Sequence, residues 1–151
     1  MDDVAGDAAG AVVQFRVMEV VALAVDLPSQ FPLLTLQEAE PPFRRLSMPL
    51  GMAEGVAMGH AFHKVATPRP LTHELFASVL QRLNVDVVAV RLVGRTAGIY
   101  LGELDLMSPR GREVVPCRPS DGLTMALRLP VVAPVLADER LLSDEGDVAP
   151  G

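Results

Sequence analysis

Arg118, Ser120 and Asp121 are the residues whose types and spacing most directly suggest chemistry. They lie in Cys117-Arg118-Pro119-Ser120-Asp121-Gly122-Leu123, which reads as a strand end, a turn and a helix start. Ser120 is expected to be the N-cap, its hydroxyl accepting from an orphan backbone N–H. Asp121 then falls in the first turn, where the positive end of the helix dipole favours a carboxylate. Arg118 is expected to point out of the turn. A cation, a hydroxyl, a carboxylate and free helix N–H groups in one small space suit an anion or a hydrated metal. The same residues on their own read more simply as a capped turn, with Arg118 and Asp121 as an ion pair that fixes it.

Other side chains could add to such a site. His73 is expected in the first helical turn after Pro68-Arg69-Pro70, beside Arg69 and Glu74. Histidine moves protons near neutral pH, so His73 is either a general acid or base or a residue that orients the Pro-rich loop. His60 and His63 lie three apart and could share a helix face, but no Glu-x-x-His arrangement accompanies them. Glu54, Glu74, Glu103, Asp105 and Asp121 form the carboxylate pool for a Mg²⁺ or Mn²⁺ site, since hard cations take oxygen ligands. Glu103 and Asp105 share strand parity and could face the same way. Cys117 has no recognisable partner base and reads as a small buried residue.

The elements that must position these groups follow from periodicity. Strands are predicted over Val12–Asp26, Leu33–Glu38 and Phe43–Leu50, a first antiparallel meander. Helices are predicted from Gly51 to Phe62 and from Thr72, read as the cap, to Leu83. The second helix carries the apolar stripe Leu75, Phe76, Val79, Leu80, Leu83. Strands at Val85–Val93, Ile99–Met107 and Arg112–Cys117 make a second meander. The helix that starts near Ser120 follows, then a short strand at Val131–Val135 and a helical turn at Ala137–Leu142. The fold class is therefore α+β: two mainly antiparallel three-stranded meanders with helices packed on them, in one compact domain.

The chain has 151 residues, half of them hydrophobic, which is enough for one well-cored domain. The net charge of −6 is concentrated at the ends. Asp2, Asp3 and Asp7 lie at the start; Asp138, Glu139, Asp144, Glu145 and Asp147 lie near the finish, against Arg140. The body between is close to neutral, so composition neither announces nor forbids a local nucleic-acid groove. Residues 1–11 are expected to be a disordered acidic leader, 12–142 the domain and 143–151 a disordered acidic tail. A single cysteine excludes an internal disulfide and a multi-Cys zinc site. No apolar run is long enough to cross a membrane as a helix, and the start lacks the basic stretch of a secretory signal. A cytoplasmic setting is expected.

Pro68-Arg69-Pro70-Leu71-Thr72-His73-Glu74-Leu75, followed some way on by Arg118-Pro119-Ser120-Asp121-Gly122-Leu123-Thr124-Met125-Ala126-Leu127-Arg128, resembles the bifunctional nuclease family. Leu50-Gly51-Met52-Ala53-Glu54-Gly55-Val56-Ala57 is similar to a further motif of that family. The chain departs from the pattern at Met48-Pro49-Leu50-Gly51, where the family carries a Trp, and at Gly55, Glu74 and Gly122. The resemblance implies a compact α+β domain that pairs as a homodimer, with nuclease activity on RNA or DNA. It carries over Glu54, Arg69, Thr72, His73, Arg118, Ser120 and Asp121. In that reading Glu54, His73 and Asp121 are catalytic and Arg69, Arg118 and Ser120 bind substrate. Glu54 and Asp121 hold a Mg²⁺ or Mn²⁺ ion. The alternative is a non-catalytic, dimeric binding or regulatory domain that keeps the family fold.

Overall fold

The computed structural model describes residues 12–25, 27–66 and 68–143. The leader expected at 1–11 and the tail expected at 143–151 lie outside the described residues, save Ser143, which ends a helix. The elements run β1 (Phe15–Val25), β2 (Pro32–Glu38), β3 (Arg45–Pro49), α1 (Met52–Phe62), α2 (Thr72–Arg82), β4 (Asp86–Thr96), β5 (Ile99–Ser108), β6 (Gly111–Cys117), α3 (Pro119–Arg128), β7 (Val135–Asp138) and α4 (Glu139–Ser143). Among the described residues no helix is long and apolar enough to cross a membrane.

Both predicted meanders are present, but they are wings of one mixed seven-stranded sheet ordered β3-β2-β1-β7-β4-β5-β6. The joint is β7, antiparallel to β1 and parallel to β4. It lies at Val135–Asp138, later than the expected Val131–Val135. The expectation of two separate meanders is corrected here. Alternation sets the buried face: Pro32, Leu34, Leu36 and Glu38 are buried along β2 while the residues between them are half-buried. The β4–β5 hairpin turns on Ala97 and Gly98, both left-handed at φ 51 and φ 80, the two-residue turn whose twist matches the strands.

The helices α1 and α3 pack together over the sheet. Met58 and Ala61 of α1 join Leu123 and Leu127 of α3, with Leu34, Leu36, Leu46 and Leu92, in one core cluster. On the other side of α3, Ala126 joins Val90, Leu104 and Leu106 in a second. The residues from Ser120 to Leu127 are buried apart from Asp121, which is half-buried, so α3 is the central pillar. At Gly122 an added Cβ would lie 2.9 Å from Val90 Cγ1, so only glycine allows α3 to approach β4 this closely.

The second helix behaves otherwise. Not one residue of α2 is buried. The predicted stripe faces outward: Leu75, Phe76, Val79 and Leu83 are exposed and only Leu80 is half-buried. Periodicity identified the apolar face but not what covers it. The ends of α1 and α2 close in the same way. The Val65 N–H reaches the His60 carbonyl at 2.9 Å and the Lys64 N–H that of Ala61 at 3.2 Å. The Val85 N–H reaches Leu80 at 2.8 Å and the Asn84 N–H reaches Gln81 at 3.1 Å. These are Schellman motifs with left-handed Lys64 (φ 53) and Asn84 (φ 57) at the position glycine usually takes. The Lys64 ammonium donates to the carbonyls of Leu127 and Leu129, tying this turn to the last turn of α3.

Each wing carries one buried carboxylate gripped by two arginines. On the first, Glu38 accepts from Arg44 (backbone N–H 2.7 Å, Nε 2.9 Å) and from Arg16 Nε at 2.8 Å. The Arg44 hydrogen bond, against the opposing effect of burial, takes the carboxyl down to about 2. On the second, Asp105 of β5 accepts from Arg112 of β6 (Nε 2.8 Å) and from Arg91 of β4. The hydrogen bond from Arg112 is the main reason its carboxyl is held below the usual range. Both carboxylate side chains are fully shielded from solvent. Asp105 therefore joins three strands and leaves the metal-ligand pool, although it shares parity with Glu103 as expected.

Candidate functional site

The turn out of β6 builds the site. The N-cap of α3 is Arg118, whose backbone is extended (φ −69, ψ 141), and no side chain caps the helix. Pro119 occupies the first helical position, where its missing N–H costs nothing. This sets the helix start earlier than expected and moves Ser120 inside it, so the prediction of Ser120 as cap is corrected. Ser120 is buried, and its carbonyl accepts from the Thr124 hydroxyl at 2.7 Å. Thr72 is likewise the first residue of α2 rather than its cap, which is Leu71. Glu54 sits in the first turn of α1, Glu74 in that of α2 and Asp121 in that of α3.

Four predicted residues meet there, from three separate segments. The Asp121 carboxylate accepts from Arg118 Nε at 2.8 Å and from its terminal nitrogen at 3.2 Å. The same Asp121 lies 3.3 Å from His73 Nε2. The other terminal nitrogen of Arg118 donates to Glu54 Oε1 at 3.3 Å. The cluster is at the surface: the Arg118 side chain is 67% exposed, Asp121 35%, Glu54 30% and His73 20%. Burial alone would raise the Asp121 carboxyl, but hydrogen bonds from Arg118 and His73 outweigh it and hold the group below the usual carboxylate range. Arg118 is pushed up in turn, chiefly by its bond to Asp121.

An ionised carboxylate only accepts. His73 must then donate from Nε2, and in the neutral imidazole the lone pair lies on Nδ1. Carboxylate-to-imidazole contacts of this kind fix tautomer and ring orientation. One N–H on each terminal nitrogen of Arg118 is not used by Asp121 or Glu54, and that fork suits a phosphate. Arg69 is exposed in the bend before α2.

The donor set does not fit a resident divalent ion as it stands. The guanidinium of Arg118 bridges Glu54 and Asp121 and takes up oxygens of both that an ion would need. Among the described residues no group of three or more His, Cys, Asp or Glu is placed to hold a metal. His63 ends α1 as its C-cap and packs edge-on against Phe62 at 5.1 Å. Cys117 is half-buried, and burial pushes its thiol up, as the reading of a small packed residue requires.

Sequence reasoning missed a second polar tie between α2 and α3. Arg128 pairs with Glu74 at 3.1 Å and donates to the Val65 carbonyl at 3.0 Å. Arg128 stands in the last turn of α3, where a cation suits the helix dipole, and nothing local in the chain points to a partner so far upstream. Thus α2 is held to α3 by His73–Asp121 and Glu74–Arg128.

Residues 34–149 match the bifunctional nuclease domain. Two uncharacterized proteins of Mycobacterium tuberculosis, from strains H37Rv and CDC 1551 / Oshkosh, are each 33% identical over 133 residues, covering 88% of this chain and 77% of theirs. With that match and with the motif residues Glu54, His73, Arg118 and Asp121 gathered at the N-terminal ends of three helices, this chain belongs to the bifunctional nuclease domain family.

Proposed function

We propose that the Arg118–Asp121–His73–Glu54 cluster cleaves phosphodiester bonds in RNA, DNA or both. The observation that supports this best is the convergence, at an accessible surface, of side chains separated by 48 and 64 residues. Arg118 would hold a phosphate through its outward N–H groups, with Arg69 as a second clamp. Asp121 would orient His73, whose Nδ1 would take the proton of a water attacking phosphorus; as the ester P–O bond breaks, the leaving oxygen would take a proton from the resulting imidazolium or from solvent. Asp121 itself is a weak base because its carboxyl is held low. Glu54 positions Arg118. Glu54 and Asp121 would be open to a Mg²⁺ or Mn²⁺ ion only once Arg118 had left them. The domain would work in the cytoplasm as a homodimer; the outward stripe of α2 is the apolar face that supports pairing.

A second reading rests on one specific observation: each cluster member is already paired with another. The domain would then be a non-catalytic binding module, with Arg118–Asp121 fixing a turn. Cleavage of labelled single-stranded RNA and DNA, in Mg²⁺, Mn²⁺ or EDTA, separates the two. Folded Arg118→Ala and His73→Ala proteins should each lose about a hundredfold or more in rate. Cleavage that persists in both places the site elsewhere. Absence of cleavage by the wild-type protein in every condition favours the binding module.

A further inference from the structure

A cleft of about 680 Å³ opens beside the cluster, between α2, the start of β4 and the chain that leaves α3. Its size is that of a small-molecule site. Ala77 and Leu80 of α2, with Val87 and Leu129, give its lining an apolar part. Its polar groups are of a particular kind. Glu74 and Arg128 form an ion pair within it, and the Arg128 side chain is only 10% exposed. Gln81 and Asn84 add carboxamides, and Asp86 a second carboxylate. Two carboxylates against one guanidinium make the lining acidic on balance, which disfavours a phosphate. Apolar lining residues with carboxamide donors and acceptors beside them suit a neutral, flat heterocycle with hydrogen-bonding edges.

The cleft is also in register with the cluster. His73 belongs to the cluster and its neighbour Glu74 to the cleft. Asp121 and Arg128 stand on one helix, about 10 Å apart along its axis. A strand whose phosphate lay at Arg118 would bring a nearby base to the cleft. Bases in a duplex have their edges paired and cannot enter, whereas unpaired bases can be splayed out and read.

We propose that this cleft is a base-binding subsite that takes an unpaired nucleobase of a single-stranded substrate. The inference rests on the nuclease reading for the place of the phosphate, but the subsite can be tested without cleavage. Uncharged nucleosides (guanosine, adenosine, cytidine and uridine) are titrated into the full chain while backbone amide signals are followed by NMR. At least one should bind saturably and shift amides in 77–87 and 128–131. Ala77→Phe, which fills the cleft, should weaken that binding about tenfold or more, as should Gln81→Ala, a surface change that spares the fold. His73→Ala should leave it intact. No saturable binding, or binding that both cleft variants leave unchanged, overturns the subsite. A protein that cleaves but binds no nucleoside keeps the nuclease reading and loses the subsite. One that binds nucleosides in the cleft but never cleaves keeps the subsite and loses the nuclease reading.

Discussion

Glu38 and Asp121 are both carboxylates gripped by arginine, and they serve opposite ends. Glu38 is shielded completely, accepts from two arginines and a backbone N–H, and ends a strand whose every second residue is buried. Asp121 is one-third exposed, shares one arginine with Glu54 and takes its other partner from a histidine on a helix that buries none of its residues. Asp105, with Arg91 and Arg112, repeats the Glu38 arrangement in the second wing. The same ion-pair chemistry is therefore used in two ways. Where water is excluded, removing one partner strands a charge and the fold suffers. Where water remains, the pair contributes little to stability, and its groups stay within reach of a ligand.

The sharpest break in that comparison is Glu38→Gln. It leaves Arg16 without its carboxylate and Arg44 with only Glu139, 3.3 Å away, as counter-charge, and both arginines are about one-quarter exposed and partly solvated. A loss of about 3 kcal/mol is expected, at the low end for breaking a buried pair, measured as a lower urea midpoint with an unchanged slope. A loss below about 1 kcal/mol would place Glu38 in the same class as Asp121.

Acid should reproduce the same loss gradually. The carboxyl of Glu38 lies at about 2 in the fold against 4.5 ordinarily. A depressed folded value means that its stabilisation is whole above 4.5 and disappears as pH falls from there through about 2. On the order of 2–3 kcal/mol should go in that window. Asp105 and Asp138 are shifted in the same direction by Arg112 and Arg140 and add to the slope. Unfolding free energy measured between pH 6 and pH 2 should fall less steeply for Glu38→Gln than for wild type. Parallel curves would mean that Glu38 does not carry the acid sensitivity.

How much of this was legible in the chain follows from the range of each signal. Strand parity and turn residues are local, so six of the seven strands and the three longer helices lie close to where periodicity puts them. The joint β7 is four residues long and pairs with β1 and β4 far upstream, and no local pattern announces a parallel partner. The stripe of α2 was found but not its outward aspect, and the start of α3 at Pro119 was misread, for different reasons. A helical period marks a face without saying what meets it, and Pro119 at the first helical position displaced the serine that looked like a cap. Within the site, Arg118 and Asp121 are visible as a three-residue spacing. Glu54 and His73 were tied to them by family motifs, not by any periodicity. The cleft lined by Gln81, Asn84 and Arg128 had no signal at all, because its walls come from three separate segments.

The smallest effect on stability should come from Asp121→Asn, and it tests the other half of the comparison. Asparagine keeps the shape and one acceptor, loses the charge opposite Arg118, and can no longer fix the protonated nitrogen of His73. An exposed pair of this kind contributes little, so the unfolding free energy should stay within about 1 kcal/mol of wild type. Cleavage, if the cluster is the reacting centre, should fall far more than that, because the imidazole loses both its tautomer and its orientation. The pH–rate profile should change shape as well as height, which a merely structural residue would not cause. A stability loss as large as that of Glu38→Gln would instead make Asp121 a fold clamp. A small stability loss with unaltered cleavage would leave Arg118 and His73 to act without it.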